Sequence, residues 1–308
     1  MSMTDTTTAA AQVIAVKPVV LPAPDRGEDL RVRVSAPATG RDLPVVVLSH
    51  GFGWSMDGYG PLADHWAAHG FVVVQPTHLD SRTLALPPDD PRTPLIWRWR
   101  VADLTHVLDR LDAVEAAVPG LAGRLDRDRI AVAGHSWGGQ TASMLLGARV
   151  LDAAGRPGED LSDRRVSAGV LLATPGSGGA DLTPFAAEHF PFMNPDFARM
   201  TTPALVVAGD QDRSALSVRG PDWFADPYRL SPGGKSLLTL FGAEHSLGGI
   251  VGHGAAETTD ESPARVALVQ RVTTAYLRSA LDPGDPAWPA ACAALAAEPG
   301  PLGRVETS

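Results

Sequence analysis

Residues 129–142 read Arg129-Ile-Ala-Val-Ala-Gly134-His-Ser136-Trp-Gly138-Gly-Gln-Thr-Ala142: an apolar run, a serine between two glycines, then a helix-like stretch. The pattern Gly-x-Ser-x-Gly alone is a weak signal, and an ordinary glycine-rich turn is its bland explanation. Its place between a strand and a helix carries the weight. A serine there must take a strained turn, and glycines two residues before and two after remove the side chains that would collide. The Ser136 hydroxyl is thereby expected above the sheet, at the N-terminus of a helix whose dipole favours negative charge.

Outward from this turn the chain alternates short apolar runs with helix-like stretches. The runs are Leu43–Leu48, Phe71–Gln75, Arg129–Ala133, Val166–Ala173, Ala204–Ala208 and Ser236–Phe241, and an earlier strand, Leu30–Ser35, is expected to open the sheet antiparallel. Near-continuous apolar runs suit strands buried on both faces, hence a mostly parallel sheet covered by helices. Helices are expected at Pro61–His69, Leu95–Val118, Trp137–Leu151 and Pro263–Leu281. This order is an α/β doubly wound pattern. Two stretches are too long and broken to be simple connections: Thr77–Pro94, with Pro87, Pro88, Pro91 and Pro94 near its end, and Pro175–Thr202, with Phe185, Phe190, Phe192, Met193 and Phe197. Long loops inside a compact domain are more often functional than accidental. One domain is expected over residues 1–308, with a flexible start at 1–25, a small cap or lid at 176–202, and at 283–308 a tail or short packed helix.

With 308 residues, 44% of them hydrophobic, the chain is long enough for one large core and short for two ordinary enzyme domains. The 26 Lys plus Arg and 35 Asp plus Glu give a net charge of -9, and neither sign gathers into a block, so nucleic acid is not an expected partner. No run of 18 apolar residues is present to span a bilayer. Met1–Gln12 has neither the basic nor the long apolar region of a signal peptide. A single cysteine, Cys292, rules out an internal disulfide and every multi-cysteine metal site, and fits a reducing, cytoplasmic compartment. His-Glu-x-x-His is absent, and Gly233-Gly234-Lys235-Ser236 has Arg229 where a P-loop requires glycine, so neither metal nor cofactor is expected.

A nucleophilic serine needs a base, and the anion formed in acyl transfer needs donors. At Ser49-His50-Gly51-Phe52-Gly53 an apolar strand ends in a glycine turn that can aim the Phe52 amide at a developing oxyanion, and the Trp137 amide, directly after the serine, is the second donor. A phosphate-cradling loop is the alternative at His50-Gly51, but Met56 stands where a dinucleotide fingerprint needs glycine. Of the nine histidines, His245 lies just past the last expected strand, with His253 its rival in the same loop, while His65, His69 and His106 fall on helices. The orienting acid belongs at the end of the preceding strand, where Ala204–Ala208 runs into Gly209-Asp210-Gln211-Asp212, and either aspartate qualifies. Phe52, Trp54 and Trp137, with Phe190, Phe192 and Met193, suit an apolar acyl or aryl group, although packing inside a cap explains the last three equally well.

The order Ser136, Asp212, His245, with the upstream His-Gly turn, resembles the α/β-hydrolase superfamily over most of residues 30–281. Three stretches look like the branch holding chlorophyllases, platelet-activating-factor acetylhydrolases, dienelactone-hydrolase-like proteins and polyester-cleaving cutinases: Leu48–Gly53, Tyr59–Gln75 with its Ala68–Val73, and Arg100–Leu111 with Asp103 and Asp109. The resemblance implies an eight-stranded sheet, Ser136 as nucleophile, His245 as base, Asp212 as acid, and the Phe52 and Trp137 amides as oxyanion hole. Asp212 has the family's position and the longer reach, whereas Asp210, directly after Gly209, is placed to hold the turn. Ser136 stands where dienelactone hydrolases proper use cysteine, and paired cysteines usual in the polyester-cleaving members are absent. The function expected is a cofactor-free serine esterase acting on small-molecule esters with short to medium apolar or aryl groups. Alternatives are a thioesterase, acyltransferase or amidase with the same triad, or a non-catalytic binding protein on a hydrolase scaffold.

Overall fold

The computed structural model describes residues 10–87 and 89–308, so Met1 to Ala9 and Pro88 of the proline-rich loop lie outside the described residues. The first half of the chain forms β1 (Val13–Leu21), β2 (Leu30–Pro37), β3 (Leu43–Ser49), α1 (Gly60–Ala68), β4 (Val72–Pro76), α2 (Ile96–Asp109), α3 (Leu111–Ala117), β5 (Leu125–His135) and α4 (Trp137–Leu145). There follow β6 (Arg149–Val150), β7 (Val166–Leu172), α5 (Pro184–His189), β8 (Pro195–Asp196), β9 (Ala204–Gly209), α6 (Asp226–Arg229), β10 (Lys235–Leu240), α7 (Pro263–Leu281), α8 (Ala287–Ala297) and β11 (Gly303–Thr307).

The apolar runs of the sequence are the inner strands. The main sheet has nine strands in the order β1-β2-β4-β3-β5-β7-β9-β10-β11. From β4 to β10 neighbours pair parallel, and the pairs at the two edges, β1–β2, β2–β4 and β10–β11, are antiparallel. Mostly parallel, with helices on both faces, this is the α/β-hydrolase fold. It has one strand more than the eight implied by resemblance. Residues 13–21, expected within a flexible start, are an edge strand whose register shifts between Val16 and Val19, around Lys17-Pro18. Proline is tolerated at such an edge because the ladder there need not use its missing N–H. The tail is also ordered: α8 packs on α7, and β11 covers the free edge of β10. The expected helix at 95–118 is two helices that part at Arg110. The one expected to reach Leu151 ends at Leu145, because Gly147 turns left-handed at φ 112 against the Arg199 carbonyl.

Topology decides where a site can form. From β3 the chain passes through α1 to β4 on one side, and from β5 through α4 to β7 on the other. Right-handed crossovers in opposite directions put their helices on opposite faces, so the loops leaving β3 and β5 diverge and open a crevice at the strand ends. Register brings those ends level, with Ser49 opposite Gly134 and His135 opposite Leu172. On one face α1 packs on α7, where Trp66 Nε1–H donates to Thr273 Oγ1 at 3.0 Å; on the other α2 packs on α4. No helix among the described residues is long and apolar enough to cross a membrane.

Lys235 opens β10 fully buried, and among the described residues its amine reaches only the carbonyls of Pro232 and Gly233, at 3.3 and 3.4 Å. Burial pulls its pKa down to about 8. The unfolded chain keeps that proton up to about 10.4, so between those values it binds more protons than the folded chain, and this group makes stability rise with pH. Lys235→Met should therefore raise Tm at pH 7, with a smaller gain at pH 10, as read by thermal melts at the two pH values.

Candidate active site

Between the end of β5 and the start of α4, Ser136 takes φ 55 and ψ -123. A side chain rarely adopts such a conformation, and holding it costs about 1–3 kcal/mol. The flanking glycines make it feasible. A Cβ on Gly134 would lie 2.0 Å from the Gly138 carbonyl oxygen, and one on Gly138 would lie 2.1 Å from that of Ser49. The Ser136 N–H is anchored on the Leu172 carbonyl at 2.9 Å.

The imidazole of His245 stands over this turn, with Nε2 3.0 Å from Ser136 Oγ. Its Nδ1 lies 3.0 and 3.2 Å from the two carboxylate oxygens of Asp212. Asp212 is fully buried, and that burial pushes its carboxyl above the usual range against the opposing pull of His245. Asp210 faces elsewhere: its Oδ1 accepts the Gly242 N–H at 2.7 Å and holds the turn. The loop of His245 is pinned by Asp260, whose Oδ2 accepts the N–H groups of Glu244 and Gly248 at 2.8 and 2.9 Å. His253 is exposed and pairs with Glu261.

Beside the serine, the amide of Phe52 is oriented through its own peptide plane. The Gly51 carbonyl accepts from His50 Nδ1–H at 2.7 Å and from the Trp54 N–H at 3.2 Å. In a planar trans peptide the next N–H points the opposite way, so fixing that carbonyl fixes the Phe52 donor. Among the described residues, neither the Phe52 nor the Trp137 N–H is taken by a protein acceptor.

Under this turn lies a buried polar frame. Arg100 binds both oxygens of Asp80 at 2.7 Å and donates to Thr141 Oγ1 at 3.1 Å and to the His50 carbonyl. Asp80 in turn accepts the Gly53 N–H at 3.2 Å. Burial is the largest single influence on Asp80 and would raise its pKa, but the Arg100 charge together with His50, His78 and the Gly53 N–H outweighs it and holds the carboxyl down at about 2. Behind this pair, Ser49 Oγ, His78 and Asp103 form a second serine-histidine-aspartate string, with contacts of 2.8 and 2.9 Å. Exposure separates the two strings. Ser49 and His78 are 0% and Asp103 2% exposed, whereas the His245 side chain is 40% exposed, so only the string at Ser136 is open to a substrate.

A cleft of about 740 Å³ lies beside the turns that carry Phe52 and Trp137, lined by these two residues, by Phe190 and Phe192 and by residues between 80 and 96; Ser136 and His245 themselves do not line it. The Phe52 and Trp137 rings lie 4.5 Å apart, with Phe190 and Phe192 edge-on to Trp137 at 5.1 and 5.3 Å. Two residues expected to bind substrate do not line this cleft. Met193 is fully buried in the core, and Trp54, partly buried, packs edge-on against Tyr59 at 6.3 Å. Tyr59, Asp80 and Asp260 carry no sequence motif of their own; their polar side chains would announce a site only after folding supplied their partners. Among the described residues no group of His, Cys, Asp or Glu is arranged to hold a metal ion.

Residues 8–151, a little under half of the chain, match the model of the chlorophyllase family, which lies within the α/β-hydrolase superfamily. No curated protein matches the chain. Together with the fold, the family match points to an ester hydrolase of the α/β-hydrolase type.

Because Arg100 and Asp80 are both buried, removing one leaves the other uncompensated. Arg100→Met should cost about 3–5 kcal/mol of unfolding free energy in urea melts, and adding Asp80→Asn should recover part of that loss.

Proposed function

We propose that this chain, an α/β-hydrolase by fold that resembles the chlorophyllase family over residues 8–151, hydrolyses carboxylic esters through an acyl-enzyme on Ser136. The observation that carries the proposal is the contact of 3.0 Å between Ser136 Oγ and His245 Nε2, at a strained turn whose histidine is open to solvent, next to a cleft lined by Phe52 and Trp137. His245 takes the hydroxyl proton as Ser136 Oγ attacks the ester carbonyl. The carbonyl oxygen becomes an alkoxide that the free Phe52 and Trp137 N–H groups stabilise. His245 then gives its proton to the departing alcohol and draws one from the water that releases the acid, while Asp212 holds the ring with Nδ1 protonated and stabilises its charged form.

The aromatic wall supports short to medium apolar or aryl esters as substrates, with the excursion at 176–202 supplying Phe190 and Phe192 as a cap over one side. A small-molecule ester is the partner this cleft fits. The single cysteine, Cys292, supports a reducing, cytoplasmic setting.

A fluorophosphonate should label Ser136 and no other residue, and Ser136→Ala should lose about four decades of esterase activity. A label elsewhere, with activity kept in the variant, would refute the nucleophile. Asp212→Asn should lower kcat by about three to four decades with folding nearly intact, and Asp210→Asn should cost stability more than rate. Kinetics and thermal melts giving the reverse pattern would make Asp210 the acid.

A further inference from the structure

Tyr59 joins three loops. Its side chain is fully buried, and its hydroxyl lies 2.9 Å from the Gly51 N–H and 2.8 Å from His135 Nδ1. Its own N–H donates to the Val251 carbonyl at 2.6 Å, in the loop that carries His245. Its backbone is left-handed, at φ 63 and ψ 19. Such a conformation costs a non-glycine residue about 1 kcal/mol or more, and persists where the surroundings over-determine it.

The direction of every hydrogen bond around Tyr59 follows from what each atom can do. His135 Nε2 lies 2.8 Å from the His245 carbonyl oxygen, which only accepts, so Nε2 carries the hydrogen. Burial, aided by the neighbouring His245, pulls the His135 pKa down to about 3, so the ring is neutral and Nδ1 must accept. The Tyr59 hydroxyl therefore donates to Nδ1, and its oxygen takes the Gly51 N–H. One continuous chain runs from Gly51 N–H to Tyr59 O–H to His135, and from His135 Nε2–H to the backbone of His245.

Building on the acyl-enzyme proposal, we infer that Tyr59 and His135 are positioning residues: their hydrogen bonds lock the turn of Phe52, the turn of Ser136 and the loop of His245 in one register around the reacting carbonyl. Each partner sits next to the group it would place. Gly51 precedes Phe52, His135 precedes Ser136, and the carbonyl that His135 holds belongs to His245 itself. Neither side chain is open to a substrate, at 0% and 4% exposure. Space is tight as well: a Cβ on Gly51 would lie 3.0 Å from Tyr59 Oη and 3.3 Å from His135 Nδ1.

A purely structural role for the same bonds would show in folding and in the fraction of active enzyme. A positioning role acts when the oxyanion forms, so it lowers kcat while KM stays nearly unchanged. The test is Tyr59→Phe, which removes one oxygen and keeps the ring, assayed on p-nitrophenyl butyrate. Expected are a fall in kcat of about 10–100-fold, KM within about two-fold, and an unchanged titre of fluorophosphonate-reactive sites. His135→Phe breaks the same chain, so the double variant should lose little more than the worse single variant. Tyr276→Phe removes another buried hydroxyl, one with no hydrogen-bond partner among the described residues, and should leave kcat unchanged. Wild-type kcat in Tyr59→Phe, a loss accounted for by a reduced titre or by unfolding, or multiplying losses in the double variant would each overturn the inference. Ser136→Ala, run alongside, separates the two proposals. Activity surviving in it refutes the acyl-enzyme and this inference with it, whereas an inactive Ser136→Ala beside a fully active Tyr59→Phe refutes the positioning role alone.

Discussion

The left-handed turn at Ser136 is the constraint on which the rest of the site depends. It lifts one hydroxyl out of the end of β5, and it exists only because three backbones meet there with no side chain between them. A Cβ on Gly134 would collide with Gly138, and a Cβ on Gly138 with Ser49 on the neighbouring strand. Parallel pairing of β3 with β5 supplies that neighbour and, through the reversal of strand order beside it, the crevice into which both turns open. Sheet topology and local backbone strain are therefore one arrangement: loosening either would move the serine away from its histidine.

Holding such a turn requires a rigid surround, and this chain builds it largely from buried polar groups, which are costly unless every one is paired. Arg26 with Asp103 and Arg100 with Asp80 are the charged members, each pair hydrogen-bonded at 2.7 Å. His50, His78 and His135 are all pushed down by burial and remain neutral, so they act as fixed donor-acceptor bridges. Asp103 is raised to about 6 by burial, against the opposing Arg26. Of the two serine-histidine-aspartate strings, the inner one is buried throughout and the outer one is exposed at its histidine, although their distances are nearly equal. Geometry alone does not distinguish a reacting triad from a structural one; access does.

Much of this was legible in the sequence where the chemistry is local. Gly134, Ser136 and Gly138 announce the turn because their spacing is set by the turn itself, and the apolar runs announce the parallel strands because both faces of each are buried. Asp210 and Asp212 were separable by reach along the chain, and the structure gives them different partners, Gly242 and His245. What the sequence hid was non-local or compositionally mute. Val13–Leu21 is broken by Lys17-Pro18 and half exposed, and Gly303–Thr307 has one apolar residue, so neither carries the periodicity of a strand. Met193 sits among phenylalanines that line the cleft, and an apolar residue reads the same from either side of a wall. Arg100 pairs with Asp80 across 20 residues and Tyr59 with His135 across 76, which no local pattern encodes.

The proposed chemistry requires a covalent intermediate on a serine held in this turn. Rapid mixing with an activated ester measures it directly. If an acyl-enzyme forms and then hydrolyses more slowly, the alcohol should appear in a burst whose amplitude titrates to about one per chain, followed by steady turnover, and Ser136→Ala should show no burst. A burst of that amplitude surviving in Ser136→Ala would rule out Ser136 as the acylated residue.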